Sequence, residues 1–361
     1  MNKRLKLAII ITNISVGGAQ KVVIDIVKEM NIMKNLDIKL FVHNKKEQNH
    51  FSYIIKENSI PVEYLDRDDK VTINNYRKLS LTLKEFNPDV VHVHLDTLYT
   101  PLWALLNHKN TVFTIHSQPY RILNKIIYKI LFKRLVTKKY FRITGVSRKI
   151  SEEVAEALNI DENKVITVYN PVYVPETYNE KKNIKDVSFI NVARFHPIKN
   201  HMLLISAFKT VCDEYPNSKL NFVGDGETLG ECKELTKKLG LEDNIVFWGN
   251  RSDVYSILKK SDIFVLCSDS EAMPVSVLEA MACSLPIIST DVGGVSEVIN
   301  NNGILIKKRN REMLVEAMKK MIIDNEFRKE CSKNSYNLAR QFNVKEIVNK
   351  YIDVYTNGFN L

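Results

Sequence analysis

The sequence has no Cys-x-x-Cys pair, and its five cysteines (Cys212, Cys232, Cys267, Cys283 and Cys331) are odd in number and confined to the second half of the chain. A disulfide framework or a zinc site is therefore not expected, and the thiols read as buried groups of a reduced, cytoplasmic protein. No stretch supplies the roughly 18 consecutive apolar residues that a membrane-spanning helix needs. The start, MNKRLKLAIIITNIS, resembles a secretory leader, but its apolar run is short and lacks a small-residue cleavage site. A first buried parallel strand is the better reading of it. Repeats and low-complexity tracts are missing, and so is the GxGxxG spacing of a dinucleotide fingerprint. A soluble or peripherally bound globular protein is what remains.

What is present is enough for two cores. At 361 residues with 45% hydrophobic content, the chain supports two ordinary domains. Its formal charge of +10 calls for an anionic partner, which is nucleic acid, a phosphorylated small molecule or an acidic membrane surface.

The first half alternates short β-rich runs with amphipathic segments. LKLAIIIT, DIKLFVH, PVEYL, DVVHVHL, TVFTIH, FRITGV and VITVYN alternate with AQKVVIDIVKEM, FSYIIKEN, NNYRKLSLTLKEF, TPLWALLN and SRKISEEVAEALN. This predicts an α/β fold, a mostly parallel sheet with helices on both faces, ending near Asn170. Residues 171–186, PVYVPETYNEKKNIKD, read as an interdomain linker. A second alternation covers residues 187–343, with strands VSFINVA, KLNFVG, NIVFWG, DIFVLC, PIIST and GILI and helices around MLLISAFKTVCDEY, TLGECKELTKKLG, VYSILKK, VSVLEAMAC and VSEVI. Two doubly wound, Rossmann-like domains facing a central cleft are the expected architecture, with the last helix, about 344–361, able to return to the first domain.

The chemistry concentrates in loops that follow strands. In SDSEAMPVSVLEAMA, Glu271 is expected in a loop and Glu279 on the helix that Pro274 opens. Eight helical positions would part them by about 12 Å, too far to share a proton, so they suit two ends of one polar ligand. A solvated loop acid and a surface helix position are the alternative. Arg194 and Lys199 in RFHPIKN occupy a strand-to-helix junction where two cations would meet a diphosphate. VGDGE, with Gly224 and Gly226, and TDVGG are further junctions at the same sheet edge. Between the first strand and first helix, Asn13 to Gly18 brings a glycine pair, Gly17 and Gly18, to a helix start that favours an anion. His116 ends TVFTIH and is expected either to point into the same cleft or to be a structural strand-end histidine. His92 and His94 share one strand face, as metal ligands or as packing residues, and Asp66-Arg67-Asp68 reads as a solvated turn rather than a metal-binding DxD.

GGAQ, DVVHVH, TIHS, GVS, VYNPV, RFHPIKN, VGDGE and SEAMPVSVLEAMACSLPIISTDVGGVSEVI, in this order, resemble the retaining glycosyltransferases of family four (glycosyl transferases group 1), which have the two-domain GT-B fold. The resemblance runs from Gly17 to about Glu297. It implies a nucleotide-diphosphate sugar donor (UDP or GDP), metal-independent transfer without a cofactor, and retention of anomeric configuration. It also implies that Arg194 and Lys199 hold the diphosphate, Glu279 the ribose and Glu271 the transferred sugar. Gly17, Gly18, Gly224, Met273, Pro274 and Val275 would line the donor, and His116 would contact the sugar or its leaving oxygen. Two positions depart from the family pattern: Ala272 where glycine is usual, and Pro171 where glycine usually follows the asparagine.

Arg121 to Arg142 carries eight basic residues and no acid, with Lys125, Lys129 and Lys133 at every fourth position beside isoleucines and leucines. Such a helix is expected either to lie on an anionic membrane or to pack its apolar face internally. No nucleic-acid motif accompanies this charge, so nucleic acid is not an expected partner. On the membrane reading the acceptor is a lipid-linked or growing surface glycan, a capsule or exopolysaccharide, at the cytoplasmic face of the membrane. An epimerase acting on the nucleotide sugar, or an inactive sugar-nucleotide-binding subunit, is the alternative.

Overall fold

The structure, a computed structural model, describes residues 4–44, 51–66, 72–95, 98–178 and 186–361. The chain divides into two compact units, Met1–Pro171 with Val344–Leu361, and Val172–Asn343.

In unit 1 the described strands are β1 (Leu5–Ile11), β2 (Leu36–Val42), β3 (Val62–Tyr64), β4 (Val90–His94), β5 (Thr111–Ile115), β6 (Phe141–Gly145) and β7 (Val165–Thr167). All pair in parallel, in the order β3-β2-β1-β4-β5-β6-β7. Helices α1 (Gly18–Asn31), α2 (Ser52–Glu57), α3 (Ile73–Phe86), α4 (Tyr99–Asn107), α5 (Tyr120–Leu123), α6 (Ile126–Val136) and α7 (Arg148–Leu158) make the crossovers. Because helices cover both faces, β4 and β5 are buried along their whole length, which is why they are rich in β-branched residues, interrupted only by His92, His94 and Phe113. Thr72 and Ser147 cap α3 and α7 by accepting hydrogen bonds from the Asn75 and Ile150 amides.

Unit 2 repeats the plan. Strands β8 (Ser188–Val192), β9 (Lys219–Val223), β10 (Ile245–Phe247), β11 (Ile263–Leu266), β12 (Ile287–Thr290) and β13 (Gly303–Ile306) form a parallel sheet in the order β10-β9-β8-β11-β12-β13. Helices α8 (His201–Glu214), α9 (Leu229–Lys238), α10 (Val254–Lys260), α11 (Val275–Ala282), α12 (Arg311–Ile323) and α13 (Asn325–Ala339) surround it. Phe189, Phe208, Phe222 and Leu204 are fully buried in its core, each such side chain contributing about 1.5–3 kcal/mol. The last helix, α14 (Val344–Thr356), belongs to unit 1, where Tyr351 and Tyr355 lie buried against β4. In both units the strand order reverses beside the first strand, between β1 and β4 and between β8 and β11. Such a reversal is a topological switch point, the place at the C-terminal edge of the strands where doubly wound sheets bind their ligands.

Three expectations are corrected. VSEVI forms no helix; between Gly293 and Asn301, both at positive φ, its amides make a run of turn hydrogen bonds, from Val295 to Val292 and from Val298 to Val295. The segment 121–142 is not one helix. Asn124 is a poor helix former, Lys125 takes extended backbone (φ −86°, ψ 128°), and the end of the segment is drawn into β6. The start of the expected linker is tied into unit 2: Tyr336 donates to the carbonyls of Pro175 and Glu176, and Val172 bonds to Phe342. Residues 179–185 of that segment lie outside the described residues, as do Arg67 and Asp68 of the DxD. Among the described residues no helix is long and apolar enough to cross a membrane, and no group of three or more His, Cys, Asp or Glu side chains is placed to hold a metal ion.

Candidate active site

In unit 2 the switch point lies between the loop after β8 and the loop after β11. The first runs from Ala193 to Asn200. Phe195 is its anchor, fully buried and stacked on the His201 ring at 4.1 Å between centroids. Its amide donates to the Asp225 carbonyl at 2.9 Å, joining this loop to the one after β9. That approach requires glycine. A Cβ on Gly224 (φ +138°) would stand 2.1 Å from the Ala193 carbonyl oxygen, and one on Gly226 (φ +154°) 2.2 Å from that of Phe195. Past Phe195 a single 3-10 turn, Pro197–Lys199, presents the lysine.

Lys199 Nζ donates to Glu271 Oε1 at 2.5 Å, and Ser268 Oγ donates to the same oxygen at 2.5 Å. Thr290 Oγ1 in turn donates to the Ser268 carbonyl at 2.6 Å, and the Asp269 amide to that of Ile198 at 2.8 Å. The two loops are thus stitched by backbone as well as by charge. Glu271 is 8% exposed and Glu279 5%, so neither is the solvated surface acid that the sequence left open. Glu271 owes its place to Gly293 as well. At φ +56°, Gly293 packs so close that a Cβ would lie 1.7 Å from the Glu271 carbonyl oxygen. Met273, Pro274 and Val275 are buried where the loop enters α11, with Pro274 just ahead of its first helical residue. Arg194 is exposed and makes no ion pair or side-chain hydrogen bond among the described residues. A sequence reading treats Lys199 and Glu271 as separate contacts to a ligand; the fold makes them one pair, with Arg194 as the open cation beside it.

In unit 1 the corresponding edge carries Gly17 and Gly18 at the start of α1 and His116 just past β5. Asn13 Oδ1 ties the glycine loop together, accepting from Ser15 Oγ at 2.6 Å and Gln20 Nε2 at 3.1 Å. His116 Nε2 lies 2.8 Å from His94 Nδ1. His92 occupies the core, with Nδ1 on the Tyr355 hydroxyl at 2.6 Å and Nε2 on Thr114 Oγ1 at 2.7 Å. Both of its nitrogens are engaged, so it has none to offer a metal. Burial pushes His116 down to about 4 and His92 and His94 well below the usual histidine range, which keeps all three neutral near pH 7.

Ser268 and Asp269 complete these arrangements and were not singled out as site residues from sequence, whereas Gly293 was named only within the TDVGG junction and His94 only as a metal ligand or packing residue. Ser268, three residues ahead of Glu271 in SDSEAMP, was the available signal.

The family model described as Glycosyl transferases group 1 matches residues 175–338, and that described as Glycosyltransferase Family 4 matches residues 16–174. The N-acetyl-alpha-D-glucosaminyl L-malate synthase of Bacillus anthracis is 26% identical over 316 residues, 79% of this chain and 82% of that protein. The UDP-Gal:alpha-D-GlcNAc-diphosphoundecaprenol alpha-1,3-galactosyltransferase of Escherichia coli is 26% identical over 350 residues, 86% of this chain and 89% of that one. Among solved structures, Anabaena HepE in complex with UDP and glucose superposes with a TM-score of 0.84 at 18% identity, covering 98% of this chain and 100% of that one.

Proposed function

The chain belongs to the group 1 glycosyltransferases of family 4 type, with their GT-B fold of two Rossmann-like units, and from that premise we propose that it moves a hexose-type sugar from a UDP- or GDP-activated donor to a lipid-linked or growing surface glycan. Transfer proceeds with retention of anomeric configuration and without a metal or other cofactor. The observation that carries this reading is the Lys199–Glu271 pair at the switch point of unit 2, with Arg194 exposed on the same loop. A donor whose sugar hydroxyls meet Glu271 has its diphosphate beside Lys199 and Arg194, and Glu279 is the group for the ribose. His116 contacts the sugar or its leaving oxygen, and Gly17 and Gly18 bring backbone to the phosphates.

The chemistry then needs no dedicated base. The bond from the anomeric carbon to the diphosphate oxygen breaks, and its electron pair stays on the diphosphate. Arg194 and Lys199 stabilise the charge that develops there. The acceptor hydroxyl attacks from the face the diphosphate leaves, and its proton passes to the departing phosphate oxygen.

A lipid-linked acceptor, as named for the E. coli relative, is favoured over a small soluble one such as malate by the surface of α6. Ile126, Ile127 and Ile130 are 72%, 63% and 62% exposed, and Lys125, Lys129 and Lys133 are exposed around them. Apolar side chains in solvent beside a cationic stripe suit an anionic membrane surface, the isoleucines entering the interface and the lysines meeting headgroups. The protein then works as a peripheral protein on the cytoplasmic face of the membrane. The test is transfer by purified protein from UDP- and GDP-hexoses to undecaprenyl-diphosphate saccharides, with the anomeric configuration of the product read by NMR. Retained configuration and unchanged turnover in EDTA are expected; inversion, or loss of turnover in EDTA, overturns the mechanism.

A further inference from the structure

The polar chain inside unit 1 ends on His116, and its geometry has a consequence for which proton that ring presents. Near neutral pH a bond between two neutral imidazoles needs one N–H and one lone pair. His94 Nδ1 and His116 Nε2, 2.8 Å apart, must therefore divide those roles. The remaining nitrogen of His94, Nε2, is buried and meets no hydrogen-bond partner among the described residues. If His116 were the donor, His94 would carry its proton on that buried Nε2, stranding an N–H, the rarer and costlier kind of orphan. With His94 as donor from Nδ1, only a lone pair is stranded. His116 then keeps its own proton on Nδ1, on a ring that is partly exposed at the sheet edge.

His94 is held in place from behind. Its ring lies 4.0 Å from that of His92, centroid to centroid, and His92 is fixed at both nitrogens by Tyr355 and Thr114. Thr114 Oγ1 also bonds Thr144 Oγ1 at 2.7 Å, and the Tyr351 ring lies 4.8 Å from His92. Tyr351 and Tyr355 both come from α14, so the wall behind His94 is built by the helix that returns from the far end of the chain.

We propose that His94 is a positioning residue, donating from Nδ1 to His116 Nε2 and so locking His116 in the tautomer that offers its Nδ1–H to the ligand, with α14 supporting this through Tyr355 and His92. The inference rests on the reading of His116 as the contact to the transferred sugar. Two readouts keep the two ideas apart.

The experiment uses the full chain with 15N-labelled histidine at neutral pH. Two-bond 1H–15N spectra of the wild type are expected to show His116 with Nδ1 protonated and Nε2 bare. His94→Leu removes the donor, and His116 is expected to shift towards the Nε2–H form. Turnover is then expected to fall about tenfold with little change in donor KM. His94→Asn returns an amide N–H near the Nδ1 position and is expected to restore both the spectrum and most of the rate. Tyr355→Phe, which keeps the ring and its packing, moves the His116 signals in the same direction as His94→Leu and serves if the leucine variant does not fold. A wild-type His116 protonated on Nε2, or a His116 spectrum unmoved by His94→Leu and Tyr355→Phe, overturns the inference. A His116→Ala variant that transfers at the full rate overturns the sugar-contact reading and leaves the tautomer assignment standing on its spectrum.

Discussion

Lys199 Nζ lies 2.5 Å from Glu271 Oε1, and the pair joins the loops that leave β8 and β11 on either side of the switch point in unit 2. Arg194, on the same loop as Lys199, is exposed and makes no such contact among the described residues. The two cations therefore differ in what their removal does.

Lys199→Ala strands a buried carboxylate with Ser268 as its remaining side-chain donor among the described residues, and is expected to cost about 3 kcal/mol in urea denaturation. The Lys199→Ala/Glu271→Ala double variant is expected to cost clearly less than the sum of the two single changes, because the groups share one interaction. Strict additivity in that cycle would mean the contact carries no coupling.

Arg194→Ala is expected to leave stability within about 0.5 kcal/mol of the wild type. Its transfer rate should fall about 100-fold or more, as when one group that stabilises developing charge is deleted. A variant with wild-type turnover removes Arg194 from the reaction.

Gly293→Ala and Gly240→Ala both place a Cβ at positive φ, but with different neighbours. At Gly293 the new carbon collides with the Glu271 carbonyl; at Gly240 (φ +65°) there is nothing within 4 Å. Gly240→Ala is expected to cost about 1–2 kcal/mol of backbone strain with normal donor affinity. Gly293→Ala must move the Glu271 loop, so calorimetric donor binding is expected to be lost with it. Equal donor affinity in the two variants would show that the loop tolerates the shift.

His201 sits buried on Phe195, and burial, with Lys199 nearby, holds it down to about 4. Its unfolded value is about 6.5, so the unfolded chain takes up a proton first as pH falls. The contribution to stability is complete above about pH 6.5 and is lost between there and about pH 4, up to about 3 kcal/mol. His201→Phe is expected to be at least as stable at pH 7.5, since neither ring nitrogen has a hydrogen-bond partner among the described residues. It should also lose less stability than the wild type between pH 7.5 and 5 in urea titrations. His92, His94 and His116 are pushed the same way and remain in both proteins, so the difference between the two slopes isolates His201.

The triple change of Ile126, Ile127 and Ile130 to serine removes exposed side chains and is expected to leave the melting temperature unchanged. Sedimentation with vesicles containing phosphatidylserine should fall by tenfold or more, given the apolar area withdrawn from the interface. Wild-type binding that is equal on purely phosphatidylcholine vesicles would count against the part assigned to the lysines.

Much of this was legible along the chain because strands and helices announce themselves by local burial. LKLAIII and VVHVH are buried on both faces of a parallel sheet and read as continuous apolar runs broken only by polar residues with partners. VSEVI misled because five residues with helical spacing say nothing of the glycine before them or the carbonyls that claim their amides. The segment 121–142 misled for a related reason: its apolar period continues through Lys125, while the backbone does not.

Residue types and spacing were sufficient to specify two α/β units, the glycine-bearing loops after their strands, and the placing of Arg194, Lys199, Glu271 and His116 in those loops. Each of these follows from chemistry within a few residues. Tertiary structure alone decided that Lys199 meets Glu271 across 72 positions, that Gly293 holds Glu271 in place, and that Tyr355 supports His92 from 263 positions away. Those relationships depend on the order in which parallel strands pair, and strand order is set by how crossovers and buried side chains fit together over the whole sheet. No local period encodes it.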